Sequence, residues 1–598
     1  MPGRWSCAAA SRLAHKARRT GLPAPGAHQR GTAAPRGGQR PHRGGGVAVA
    51  RTASGPVGGA HDDQWGRHDR ISRRNTSTNA PTFDTGRPRG FETSWQGPSK
   101  GLAPVTDTSA FPDPVYRETV LEPLFEGVRT HYAGHMDAIN RAHLVMLTET
   151  GILPRADAAR IAGALSDIAA DTDPASLTYT GEHEDWFFLV EAELRRRLGD
   201  LGGALHTARS RNDMDHTMFK MVLRDRAATL LDEGLALAAT LRRRAGEEAG
   251  TPIVAYTHGQ PAQPSTFGHY LAAVLEVLLG DLDRLARAMQ ALDACPMGAA
   301  AIITTGFPID RDRVAHLLGF ERPRLNSYAC IAGVDYVTGL YSAIKLVFLH
   351  LGRVVQDMAF WSAFEVGQLY VPNALVQVSS IMPQKRNPVP IEHMRHLAAV
   401  TCGHCDTIVD TMRNTPFTDM NDSEGEVQQA GYAAFASGGR MLRLAEAFLG
   451  QVRIDGARVR ATADAACITV TELADTLVRD EGLTFRAAHE IAAATARAAI
   501  AARAPLSASR DAFAAAFRDQ TGRDTALGPD AYAAAVSMEG FVARRDRPGG
   551  PAPAALAAAL DTYAATHAAL ADTLAAGRAR RREAEADRAA AFAALLET

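Results

Sequence analysis

From Tyr336 onward, apolar side chains fall at Val337, Leu340, Tyr341, Ile344, Val347, Phe348, Leu351, Val355 and Met358. Steps of three and four line them along one helical face, whereas a strand would alternate them between two. From Tyr270 the pattern repeats at Leu271, Val274, Leu275, Leu278, Leu282 and Leu285. A helix of two dozen residues is a rod of roughly 36 Å at about 1.5 Å per residue. Several such rods must pack together to bury their stripes, which predicts a bundle. Long Val or Ile alternations between turns are nearly absent, alanine is abundant and aromatics make up only 6%. The expectation is an all-α protein.

At 598 residues the chain exceeds what one core usually organises. Five segments are expected: a basic Gly/Pro/Arg-rich extension over 1–105, helical domains over 106–212, 213–458 and 459–565, and a helical tail over 566–598. Residues 1–50 hold nine Lys or Arg and no acid, so the remainder carries about −10 of the net −1. This opening cannot bury enough apolar surface to order itself. It reads as a disordered extension or a wrongly chosen start, with a transit peptide or a basic nucleic-acid tail as alternatives. Nucleic acid is the weaker reading, because aromatic residues do not interleave its basic ones. No charge-free run of about eighteen apolar residues argues for a membrane span, and a cytoplasmic protein is expected.

Order is expected to begin near Asp107, with Gly151 and Pro154 closing a first helical unit. A later helical block runs from about Val459 to Arg503, then a loop-rich stretch from Pro505 to Gly550. The charge-mixed tail reads as a solvated or partner-facing helix. Six cysteines are too few for a disulfide scaffold. Cys402 and Cys405 form CGHC, but Met394, Leu397, Cys405, Ile408 and Met412 keep helix-core spacing, so buried thiols are expected rather than a dithiol redox or zinc site.

Three polar islands interrupt the apolar pattern: LHTARSRND (Leu205 to Asp213), YTHGQPAQP (Tyr256 to Pro264) and SSIMPQKRNP (Ser379 to Pro388). Singly they pass for a helix cap, a turn before the helix near Thr266, and a surface loop. Together they combine hydroxyls, cations and amides, each beside a long helix.

These islands resemble the three signature regions of the fumarase/aspartase superfamily, most closely those of argininosuccinate lyases. The resemblance extends through GFPIDR (Gly306 to Arg311) and ELADTLVRDEGLTFRAAHEI (Glu472 to Ile491), about residues 107 to 500 in order. It implies a three-domain helical fold whose central helices form a twenty-helix core in a homotetramer. Each active site would be shared by three subunits, one signature region from each. The implied reaction is a reversible β-elimination of fumarate from an N-substituted aspartate. No metal and no organic cofactor is implied.

That chemistry removes a proton beside a carboxylate, so a base must meet the carbon and donors must meet the new charge. By resemblance Ser379 is the base, with loop amides and Lys385 supporting its alkoxide. His258 is the candidate proton relay or general acid, in a range that histidine suits. Ser210, Arg211, Asn212, Thr257, Ser380 and Asn387 would hold the substrate or its loop, with Thr207 and Gln260 as second choices. An arginine fork grips a carboxylate bidentately.

Four stretches depart from the family pattern, all where the resemblance places the released amine. EDWFFLVEAEL stands where D-I-H-x-x-x-E is usual; Met214 follows SRND in place of glutamine; AGVD (Ala332 to Asp335) replaces S-D-R-D; and PFTDMNDSEGE (Pro416 to Glu426) lacks the usual tyrosine, arginine and lysine. Val378 also replaces the glycine that usually precedes the serines. A leaving amine other than arginine is therefore kept open, as in ethylenediamine-disuccinate lyases, as is a non-catalytic structural relative.

Overall fold

The computed structural model describes residues 112–597; the expectation for the basic extension lies outside them. Five long helices form the centre: Arg211–Glu247, Phe267–Met289, Asp335–Ser362, Val389–Thr411 and Gly425–Leu449. Each packs on the next, and the last returns to the first. The stripe residues Leu271, Leu285, Val337, Leu340, Ile344 and Phe348 are buried as their spacing requires. Each large apolar side chain so buried contributes about 2 kcal/mol. Close approach is bought by small residues: a Cβ on Gly438 would lie 2.6 Å from a Phe348 ring carbon. One segment, Ser327–Ser362, is long and apolar enough by composition to cross a bilayer, but 61% of its most apolar window is buried inside the structure.

The helix ends follow their sequence signals. Thr266 accepts from the His269 N–H to start Phe267–Met289. Helix Ala133–Glu149 gives way to a left-handed Gly151, and Pro154 opens Arg155–Asp171. A second core spans Cys467 to Val536, with Leu473, Leu477, Ile491, Phe513, Phe517 and Tyr532 at its centre.

Four readings are refined. The stretch from Pro505 to Gly550 contains the helices Arg510–Thr521, Pro529–Val536 and Met538–Ala543, the first two of which bring Phe513, Phe517 and Tyr532 to the second core. The tail belongs to a 44-residue helix, Pro553–Leu596, whose Leu556, Leu570, Leu574, Phe592 and Leu595 are buried. It lies against the central bundle because its sparse apolar residues still find a common partner. The second island is a β-hairpin, Pro252–Thr257 paired with Gln260–Thr266, within a mainly helical fold. Cys405 is buried, its thiol pushed up to about 12 by burial, while half-buried Cys402 donates to the Lys345 carbonyl at 3.6 Å.

Candidate active site

The first island forms the start of helix Arg211–Glu247. Ser210 caps it, its oxygen accepting from the Asn212 N–H, while Asp213 accepts from the Ser210 N–H at 3.0 Å. The other oxygen of Asp213 accepts from the Gly298 and Ala300 N–H groups, each at 2.9 Å. Asn212 donates to the Ala301 carbonyl at 3.0 Å. The SRND segment thus fastens the 298–301 loop to the helix start. Burial raises the Asp213 carboxyl to about 6, although the three N–H groups favour its charge. Behind it, Arg209 donates to Asn140 at 2.8 Å and His143 Nε2 meets the Thr207 carbonyl at 2.8 Å.

Arg211 points to a different set of groups. Its guanidinium meets Asp185 at 2.8 Å and Glu184 at 3.1 Å, and lies 5.0 Å from the Phe188 ring centre. Asp185 is also the N-cap of helix Trp186–Leu198, accepting from the Phe188 N–H. Burial opposes the charge on Arg211, but the facing carboxylates of Asp185 and Glu184 outweigh it and hold the guanidinium protonated.

The second island presents Thr257, His258, Gly259 and Gln260 at an exposed hairpin tip. His258 and Gly259 both take left-handed backbone, φ 53° and 72°, the geometry of a two-residue turn that suits the strand twist. Thr257 pairs with Gln260 across it. The base is held by Gln368, whose amide accepts from the Val254 N–H at 3.1 Å and donates to its carbonyl at 3.3 Å.

The third island hangs between two short strands, Gln377–Val378 and Arg386–Asn387, with Gln377 opposite Asn387. Ser379 Oγ accepts from the Met382 N–H at 3.1 Å, closing a turn within the loop. Ser380 and Lys385 are exposed, and Asn387 is partly covered. Val378 and Ile381 are 76% and 82% exposed, which is unusual for such side chains. Arg386, which the sequence reading left without a role, anchors the loop base: it donates to the Val371 carbonyl at 2.8 Å and to Asn373 at 2.7 Å.

Among the described residues, no hydrogen bond or ion pair joins one island to another. Within one chain, hydrogen bonds therefore gather the groups of each island, and none ties one island to another. The chain does converge three of the four departures from the family pattern, those at 184–185, at Met214 and at 416–426. Glu184 and Asp185, the first turn of helix Arg211–Glu247 and the 419–424 segment all face the Arg211 guanidinium. Asp215, one turn beyond Arg211, sits among them. Its carboxyl is raised well above the usual range by burial, and then by neighbouring Asp185 and Asp419. Glu424 is raised likewise by burial and by Asp215 and Asp419. His216 Nε2 lies 3.9 Å from Glu424, while its Nδ1 meets the Tyr336 hydroxyl at 3.2 Å. Burial lowers His216 to about 3, so its ring is neutral. His216, Asp419 and Glu424 have the residue types of a metal site; zinc or another divalent ion fits the donor set in type. Asp213 at the third helical position was legible as a capping partner; the convergence of residues 185, 215, 419 and 424 had no local signal.

The five-helix centre and its three polar islands define a fumarase/aspartase fold. A class II fumarase from Schistosoma mansoni has the same fold, with a TM-score of 0.54 at 15% identity over 67% of this chain and 89% of that one. A lyase family model matches residues 132–403, and one described as argininosuccinate lyase C-terminal matches 467–543. "Argininosuccinate lyase 2" of Agrobacterium fabrum is 57% identical over 460 residues, 77% of this chain and 91% of that protein. An EDDS lyase solved in complex with formate superposes with a TM-score of 0.71 at 28% identity, over 82% of this chain and 97% of that one. The chain belongs to the argininosuccinate lyase family. It is a carbon–nitrogen lyase that releases fumarate.

Proposed function

We propose that the enzyme eliminates fumarate from argininosuccinate or a closely related N-substituted aspartate, in active sites assembled from three copies in a homotetramer. The 57% identity to an argininosuccinate lyase across most of the chain carries this reading. The lack of any hydrogen bond or ion pair between the islands supports the assembly, because within one chain each presents its groups unbonded to the others. So do the exposed Val378 and Ile381, which another copy would cover.

In this reading Ser379 takes the proton from the carbon beside the succinyl carboxylate. Its hydroxyl already receives a backbone N–H, which also stabilises an alkoxide, and Lys385 brings positive charge to the same loop. Ser380, Asn387 and Thr257 hold carboxylates, with Thr207 and Gln260 in supporting positions. His258 returns a proton to the departing nitrogen. Ser210 and Asn212 are committed to shaping the helix start, so their contribution is largely backbone placement. Arg211 is shared with Asp185 and Glu184, which tempers its use as a free carboxylate clamp. The steps need only these side chains and the substrate. In this reading the enzyme works in the cytoplasm, and its units are 106–212, 213–458, 459–565 and 566–598, following an extension over 1–105.

The test is fumarate release, followed by its ultraviolet absorbance, from argininosuccinate, adenylosuccinate, aspartate and ethylenediamine-disuccinate. Argininosuccinate is expected to react and a Ser379→Ala variant to lose the activity. Release only from ethylenediamine-disuccinate would instead assign an aminopolycarboxylate lyase, the reading favoured by the EDDS lyase superposition. Fumarate from none of them would overturn the proposal.

A further inference from the structure

We propose that the cavity between the tail helix Pro553–Leu596 and helices Ala133–Glu149 and Arg211–Glu247 binds a diphosphate-type anion, free or carried by a nucleotide. It shares no residue with the three polar islands and is independent of which aspartate derivative the enzyme cleaves. The cavity holds about 450 Å³, within the range of small-molecule sites. Among the described residues lining it, Arg224, Arg578, Arg581, Arg582 and Arg588 face two carboxyls, Asp225 and Glu585. The lining therefore carries an excess of three positive charges. Arg224 is buried, donates to the Leu318 and Gly319 carbonyls and lies 3.6 Å from Asp293, yet its buried Nε has no hydrogen-bond partner.

Arg578, Arg581, Arg582 and Arg588 recur at helical spacing, so they share one face of the tail helix. Arg578 and Arg582 stand one turn apart, where like charges destabilise a helix. The partners present compensate this only in part. Asp232 pairs with Arg578 at 3.3 Å, and Asp225 lies 3.7 Å from Arg581. Among the described residues neither Arg582 nor Arg588 is in an ion pair, and Arg588 donates to the Leu317 carbonyl at 2.8 Å. Burial lowers Arg224 to about 10 and lowers Arg581 and Arg588 as well. An anion bound here would stabilise cations already withdrawn from water. Guanidinium forks reaching in from two helices suit phosphoryl oxygens, which accept from several directions, whereas one carboxylate offers a single plane. The row from 578 to 588 is about 15 Å long, so it meets more than one phosphoryl group at once.

The test is isothermal titration of the full-length enzyme with pyrophosphate, ADP and orthophosphate. Saturable binding of pyrophosphate or ADP is expected, with orthophosphate weaker. Arg581→Gln, and independently Arg582→Gln, should weaken it at least about tenfold, the scale of one hydrogen bond to a charged group. Fumarate release by both variants should stay close to that of the parent. Tighter binding of ADP would identify a nucleotide as the source and tighter binding of pyrophosphate a free diphosphate; either supports the site. No saturable binding of pyrophosphate or ADP would overturn the inference. So would undiminished binding in both arginine variants, or displacement by saturating fumarate, which would assign the anion to the catalytic loops. Binding of a polyglutamate peptide, with pyrophosphate and ADP both silent, would overturn it in favour of an acidic protein segment.

Discussion

The first and third islands contain similar residue types but are prepared in different ways. At the helix start, Asp213 is fully buried and three backbone N–H groups converge on it. In the Ser379–Asn387 loop, the serine accepts only from N–H groups of its own turn, and the neighbouring apolar side chains face outward. One region is finished by its own chain; the other has a secure base and an unfinished tip. A polar sequence can therefore build a scaffold or present reactive groups, and the difference lies in where its hydrogen bonds end.

The comparison breaks most sharply if the loop serine proves structural. Ser379→Ala is expected to lower fumarate release by roughly 10³-fold, the scale of losing a positioned base. Its thermal unfolding should stay close to that of the parent, because the side chain hydrogen-bonds only within its own turn. Normal turnover in a steady-state assay would refute the base assignment. The opposite behaviour is expected at the helix start. Asp213→Ala strands buried N–H groups of Ser210, Gly298 and Ala300 and should cost about 3 kcal/mol of stability. Chemical denaturation would check it, and a loss below about 1 kcal/mol would remove Asp213 from its scaffold role.

Acid sharpens the same contrast. His143, which holds the Thr207 carbonyl, is lowered to about 3 by burial and then by Arg209. Its unfolded value is near 6.5, so below that the unfolded chain binds the extra proton and folding weakens as pH falls towards 3. At pH 5 this amounts to about 2 kcal/mol. Replacing it in His143→Gln should make the loss of stability from pH 7 to 5 smaller by that amount, measured by urea unfolding at both values. The smallest effect is expected at the hairpin. Gly259 has φ 72° with open space around a Cβ, so Gly259→Ala carries backbone strain alone, about 1 kcal/mol. Turnover should fall more than stability if the strain displaces His258.

The three islands were readable because hydroxyl, amide and cation chemistry is concentrated within a few residues. Helix stripes and caps were readable for a related reason, since their rules act over three or four positions. The hairpin was missed because YTHGQPAQP carries more turn signal than strand alternation, and pairing across the turn supplied what local pattern lacked. The short helices after Pro505 were missed because Phe513, Phe517 and Tyr532 acquire a common face only when the second core forms.

What the sequence alone determined is the bundle, through the periodicity of its stripes, and the chemical vocabulary of the islands around Ser210, His258 and Ser379. Tertiary structure decided how that vocabulary is used. It closed SRND onto the 298–301 loop, left the Ser379 loop open, and drew Asp185, Asp215, Asp419 and Glu424 around one guanidinium. Those acids are separated by up to 239 positions, from 185 to 424. Charge interactions depend on distance through space and on burial, neither of which a linear spacing records.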